Sequence, residues 1–315
     1  MRGWWQDLTD LVLPAECGGC GRPRTVLCPE CRAALSGAAP CRVRPAPEPL
    51  GLPRVHAAAP YTDGVRAALL AHKERGALAL AGPLGAALAK VVRAGLHEAG
   101  PARSGVAGVP PGARGVPVGA HRVGVVPPQG GTVRAGGGDV PVLLVPVPSA
   151  RRALRARGHD PVRRIALAAA GELRRSGTPA RVAAVLRQRR AVADQSGLNS
   201  RQRLRNLAGA LEVAVGGARL LLGGPVVLVD DLMTTGASLT EAARAVRVAV
   251  RDGWTTAVYV RATREGREEQ TGGSREERAN RRYGTPGMAG VNLAGQPVCA
   301  AVVAAPPDSF EINRN

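Results

Sequence analysis

A chain of 315 residues is long enough to bury a substantial core, and one main domain with an appendage is the natural expectation. Its formal charge is +19, its 43 basic residues include only two lysines, Lys73 and Lys90, and one Phe, three Trp and three Tyr leave the core to Ala, Val and Leu. Basicity permits contact with phosphate polyanions, but the scarcity of stacking aromatics argues against a dedicated single-strand nucleic-acid module, and no apolar run approaches the roughly 20 uncharged residues of a membrane span.

The first segment reads as a helix over 3–12. Its two Trp and two Asp do not follow the basic-then-apolar order of a secretory signal, so a cytoplasmic protein is the default. Next come two CxxC pairs, Cys17 with Cys20 and Cys28 with Cys31, set seven residues apart with Gly18, Gly19 and Gly21 in the knuckle. Together they offer four thiolates to one structural zinc; disulfides are the weaker alternative in a reducing compartment. Cys41 and Cys299 have no such partners and read as bystanders or small buried side chains. We therefore set 1–45 apart as a zinc-ribbon-like segment.

A strand is expected over 54–60 and helices over 64–73 and 78–97, the first ending on Lys73, whose plainest reading is a helix lysine reaching for solvent. Residues 98–140, dense in Gly, Pro and Arg, read as a flexible insertion. After a strand at 141–146 the chain turns through Ser149, Ala150, Arg151 and Arg152, then a helix follows over 160–175 and a strand over 182–186. A polar stretch with Arg187, Arg190, Gln195 and Arg203 reads either as a lid or as surface arginines beside a helix at 199–206, and it leads to a strand at 209–215. His56, His72, His97, His121 and His159 show no metal-ligand spacing.

The richest stretch begins at Val226. Pro225 and two glycines precede an apolar strand over 225–230, which ends in Asp230 and Asp231, then Thr234, Thr235, Gly236, Ala237 and Ser238, then a helix over 238–250. Such a turn can cradle one phosphate, with Gly236 allowing close backbone approach and the hydroxyls donating, while the two acids accept from ribose hydroxyls and influence a bound Mg²⁺. A capped helix after an acidic strand end is the plainer alternative. Beyond it, 255–261 is an ambiguous strand and 264–296, alternating in charge, reads as a second insertion: a solvated loop or frayed helix ahead of a basic nucleic-acid arm. The last strand is expected at 297–304. Both ligand turns follow apolar strands, which puts them at one edge of a mostly parallel sheet.

The run from Val226 to Ser238 resembles the phosphoribosyl pyrophosphate (PRPP) loop of type I phosphoribosyltransferases. Lys73-Glu-Arg-Gly76 with the helix before it, Val145-Pro-Val-Pro148, Arg157-Gly-His-Asp160, and Gln195 through Arg203 to Asn206 are similar, in order, to elements of the ComF family. Glu74 stands where that family usually has an aromatic residue, and His159-Asp160 where it has Phe-Asn. The resemblance implies an α/β, type I phosphoribosyltransferase fold, a mostly parallel sheet flanked by helices, built from 54–97 and 141–305 behind a small zinc ribbon.

It also implies PRPP and Mg²⁺ as ligands and transfer of phosphoribose to an unidentified acceptor with release of pyrophosphate. Asp230 and Asp231 would serve the ribose, 234–238 the 5′-phosphate, and 149–152 the diphosphate, with Lys73, Arg187, Gln195 and Arg203 facing substrate. The alternative is a non-catalytic PRPP-binding or single-stranded-DNA-binding protein working with competence machinery in DNA uptake or processing.

Overall fold

The computed structural model describes residues 16–99, 140–190, 192, 199–268 and 299–310, with backbone only for Ala99, Arg151 and 253–268. The helix expected at 3–12, nearly all of the insertion at 98–140, Gln195, His121 and the part of 264–296 beyond Glu268 lie outside those residues.

The element order is α1 (Pro29–Ser36), β1 (Cys41–Val43), β2 (Val55–Pro60), α2 (Asp63–Glu74), α3 (Ala81–Ala99), β3 (Val142–Pro146), α4 (Arg151–Arg157), α5 (Pro161–Arg175) and β4 (Ala180–Val182). Then come β5 (Leu186–Gln188), α6 (Ser200–Leu207), β6 (Leu211–Val213), α7 (Gly217–Leu221), β7 (Val226–Leu232), α8 (Ala237–Glu268) and β8 (Cys299–Ala305). Six strands form one sheet in the order β1-β2-β8-β7-β3-β4. All neighbours run parallel except β1, which pairs antiparallel with β2, and β5 and β6 make a separate antiparallel pair. The protein is thus α/β, with helices on both faces of a mostly parallel sheet.

Strands buried on both faces need apolar residues at every position, which is why β3, β7 and β8 read as unbroken apolar runs. Alternation sorts them: Val142, Leu144, Val227 and Val229 face α3 and α5, whereas Leu143, Val145, Val226 and Leu228 face α8 and the β5–β6 pair. With so few aromatics, small side chains let the layers approach closely. A Cβ at Gly85 of α3 would lie 2.4 Å from that of Ala168 in α5.

Three elements differ from expectation. The strand read at 182–186 is split, because the chain leaves the main sheet after Val182 and pairs with β6 from Leu186. The ambiguous strand at 255–261 is helix, since α8 runs unbroken by proline from Ala237 to Glu268 and takes in 264–268 as well. The turn at 149–152 gives way to α4 at Arg151. Segment 1–45 also supplies β1, an edge strand of the main sheet, so it does not stand wholly apart.

Leu78–Glu98 is, among the described residues, the one helical stretch long and apolar enough to cross a membrane, at 21 residues and mean hydropathy 1.3. Its apolar face is accounted for by packing: half of its most apolar 18-residue window is buried, with Leu84, Leu88, Val91 and Val92 inside the core shared with α5 and the sheet.

Candidate functional site

Chain direction changes between β3 and β7. From β3 the crossover through α4 and α5 leads outward to β4, while from β7 the chain goes the other way, to β8. The two strands are adjacent and in register, Pro146 opposite Val229, and Val147 N–H donates to the Val229 carbonyl at 2.9 Å. Their carboxyl ends therefore open side by side at the switch point, where open α/β sheets collect ligands.

A cavity of about 870 Å³ lies there. Asp230, Asp231, Thr234 and Ser238 line it from the β7–α8 connection, Ser149, Ala150 and Arg152 from the β3–α4 connection, and Lys73 from the end of α2. Sequence-expected groups from three separate segments are thus brought together.

Lys73 Nζ donates to Asp231 Oδ2 at 2.8 Å, and Asp231 is 5% exposed. Burial opposes the Lys73 ammonium, but Asp231 beside it and Asp230 behind more than compensate and hold its pKa above the ordinary lysine value. Asp230 lies under the opposite balance. Burial first, and the Asp231 charge second, push its carboxyl well above the usual range despite Lys73. Its Oδ1 accepts the Asp231 N–H at 2.9 Å. The acid pair has one cation for two carboxyls.

Beyond the acids the chain reverses through Gly236 at φ 73°, a left-handed conformation, and a Cβ there would lie 3.0 Å from the Leu52 side chain. Only glycine meets both demands without strain. Ala237 then starts α8, so Thr234 and Ser238, which line the cavity, flank a helix N-terminus whose first amides have no intrahelical partner, with Thr235 between them in the chain. The N-terminus of α4 has no side-chain cap.

Arg203 Nη1 lies 3.4 Å from Thr234 Oγ1, so the middle of α6 meets the hydroxyl turn. Arg190 ties β5 to α6 through the carbonyls of Asn206 and Ala208. Arg187 stands elsewhere. Strand alternation turns its neighbour Gln188 into the cavity, whereas Arg187 is not among the residues that line it and pairs with Glu212 at 2.9 Å. Of the two arginines at 151 and 152, it is Arg152 whose side chain lines the cavity; that of Arg151 is outside the description.

Sequence reading assigned no role to Arg157, which lines the cavity and meets Glu74 at 3.4 Å. His159 sits between the same helix ends, its ring nitrogens 3.0 Å from the Arg157 carbonyl and 3.3 Å from that of His72. Glu74 and His159 thus both meet Arg157, the first at its side chain and the second at its carbonyl. Their proximity joins positions far apart in the chain, a signal that one sequence does not carry. Val162, Leu207 and Leu211 make the remaining wall apolar.

The four thiols form a second centre. The Sγ atoms of Cys17, Cys20, Cys28 and Cys31 lie within 4.8 Å of one another, close enough for one tetrahedral ion with bonds of about 2.3 Å. Cys28 N–H donates to Cys17 Sγ at 3.3 Å and Cys31 N–H to Cys28 Sγ at 3.5 Å. Burial works against the Cys17 thiolate, yet the backbone amides of Cys28, Cys20 and Gly19 bring its pKa down to about 6. A Cβ at Gly19 would lie 2.6 Å from Cys31 Sγ, so the knuckle glycine leaves room for the cluster. These residues suit zinc in a closed, structural site.

Comparison of the chain with protein-family models and with curated proteins finds no match.

Proposed function

We propose that this protein is a ComF-like phosphoribosyltransferase of type I fold, which binds PRPP with Mg²⁺ at the switch-point cavity and transfers phosphoribose to an acceptor, releasing pyrophosphate. The observation that carries this reading is the convergence of the Asp230–Asp231 pair, the hydroxyl turn and the Ser149–Arg152 turn on one cavity at adjacent parallel strand ends.

In the reaction the bond from the anomeric carbon to diphosphate breaks, a bond from the acceptor forms, and the ribose ring carries positive charge in between. Thr234 to Ser238 hold the 5′-phosphate with amides and hydroxyls. Asp230 and Asp231 accept from the ribose hydroxyls and stabilise the developing positive charge. Arg152 and the open amides of α4 receive the diphosphate. Lys73 holds Asp231 in place and counters part of its charge.

The donor set fits Mg²⁺, because Asp230 and Asp231 are hard oxygen ligands and a cation beside them would favour the ionised Asp230 carboxylate that burial and Asp231 disfavour. They would hold the ion directly or through water, and it would supply charge neutralisation of the departing diphosphate.

The test is calorimetric titration of PRPP with Mg²⁺ into the zinc-loaded protein, beside the Asp230→Asn/Asp231→Asn variant. Saturable binding that the variant loses is the expected outcome. No binding to the folded parent protein would overturn the reading. A second reading, a non-catalytic polyanion binder, draws on the exposed Arg152, Arg155, Arg189, Arg201 and Arg205 of α4, the end of β5 and α6. It requires salt-sensitive single-stranded DNA binding that survives the acid substitutions.

A further inference from the structure

At the opposite end of the sheet, where β2 and β8 begin, His56 and Cys299 both face α3. His56 is 3% exposed and Cys299 5%, and neither serves the cavity or the four-thiol centre. His56 Nε2 makes a short contact with a Glu98 carboxylate oxygen near the end of α3. That bond, with a secondary contribution from Arg42 and Arg54, holds the Glu98 carboxyl below its ordinary range, so Glu98 accepts from Nε2.

Nδ1 of the same ring is buried and has no hydrogen-bond partner, so with Nε2 engaged by Glu98 it is the ring nitrogen left to meet a ligand. A Cβ at Gly95 of α3 would sit 3.2 Å from Nδ1 and 3.8 Å from Cys299 Sγ, so the imidazole nitrogen and the sulfur both border the space over this glycine, which a methyl would crowd.

We propose that Cys299 Sγ and His56 Nδ1 form a buried site for one soft monovalent metal ion of the Cu(I) type, with Glu98 orienting the imidazole. A carboxylate on the far nitrogen of a ligating histidine is the usual outer-shell arrangement, fixing both tautomer and ring plane. Softness of thiolate and imidazole together favours copper or zinc over hard cations. Zinc in a structural site takes four ligands, and among the described residues the only group of three or more candidate ligand side chains is the four-thiol cluster. Charge decides the same way, since one thiolate with one monovalent cation buries no net charge.

Burial holds the Cys299 thiol up at about 11, so it is protonated before metal arrives. Binding forms the metal–sulfur and metal–nitrogen bonds, the thiol proton leaves to solvent, and no electron is transferred. Arg54, whose charge also reaches Cys299, assists the thiolate. This inference is independent of the sugar-phosphate reading.

The experiment is competition of the zinc-loaded full chain with a chromogenic Cu(I) chelator, with zinc release followed in parallel. It compares the parent protein with Cys299→Ala, Gly95→Ala and Glu98→Gln, and follows His56 Nδ1 by ¹⁵N NMR. We expect the parent protein to take one Cu(I) more than Cys299→Ala at equal zinc release, with the Nδ1 resonance shifting. Glu98→Gln should weaken that site about 10–100-fold. Gly95→Ala, which crowds that space with a methyl, should lose it and stands in if Cys299→Ala does not fold. Equal uptake by all four proteins, or an unmoved Nδ1 resonance, overturns the proposal.

Discussion

Asp230 shows how a residue can serve a site at the expense of the fold. Its carboxyl is raised by burial and by Asp231, so between the ordinary aspartate value of about 3.9 and its folded value the native protein binds more protons than the unfolded chain. Stability from this group therefore falls as pH rises through that window. Asp230→Asn should raise the melting temperature at neutral pH, by about 2–4 °C for each kcal/mol relieved, with the gain vanishing as pH drops toward 4. Thermal unfolding across that range checks it, and a variant less stable than the parent at neutral pH would contradict the charge balance described for the pair. The same substitution belongs to the double variant expected to lose PRPP, so stability and binding should move in opposite directions.

Among the elements, α3 and α5 depend on small residues where they cross. Gly85→Ala should cost about 1–3 kcal/mol through overpacking, because the added methyl meets Ala168 and the Ala169 amide nitrogen, the latter at 2.8 Å. Urea unfolding with an unchanged denaturant slope is the signature expected. Elements of this kind also mark how far a single sequence can be read. The strands β3 and β7 and the turn after β7 were legible because apolar runs bounded by Gly, Pro and paired acids have few other solutions. In contrast Arg151–Arg157, the segment of α4, has no apolar period, so nothing in its residues announces the helix it forms. The far half of α8 carries Thr255, Thr256, Val258 and Val260, residues whose β preference is overridden by helical continuity. At the site the acids and hydroxyls announced themselves by spacing. The Glu74–Arg157 contact and the pairing of Arg187 with Glu212 are tertiary, and no local pattern encodes them.

Across the whole molecule, the thiol centre is part of the main core. Cys17, Leu27, Cys31 and Leu35 pack in the same apolar cluster as Val65 and Leu69 of α2 and Leu84 and Leu88 of α3. Chelation of zinc should accordingly lower one cooperative transition, on the order of 10 °C, without splitting off a small early one. Scanning calorimetry with and without chelator distinguishes the two, and a separate low-temperature transition would mean that the cysteine segment folds independently.

The helix α2 spans the distance between these centres. Near its start Gly64 comes so close to the cluster that a Cβ would lie 3.2 Å from Cys31 Sγ, and at its other end Lys73 grips Asp231. One rigid rod of 12 residues, roughly 18 Å long at 1.5 Å per residue, thus has its foot on the thiols and its hand on the acid pair. The counter-charge that the acids feel is fixed by where that foot stands, which makes the cysteine knuckle the abutment of the cavity.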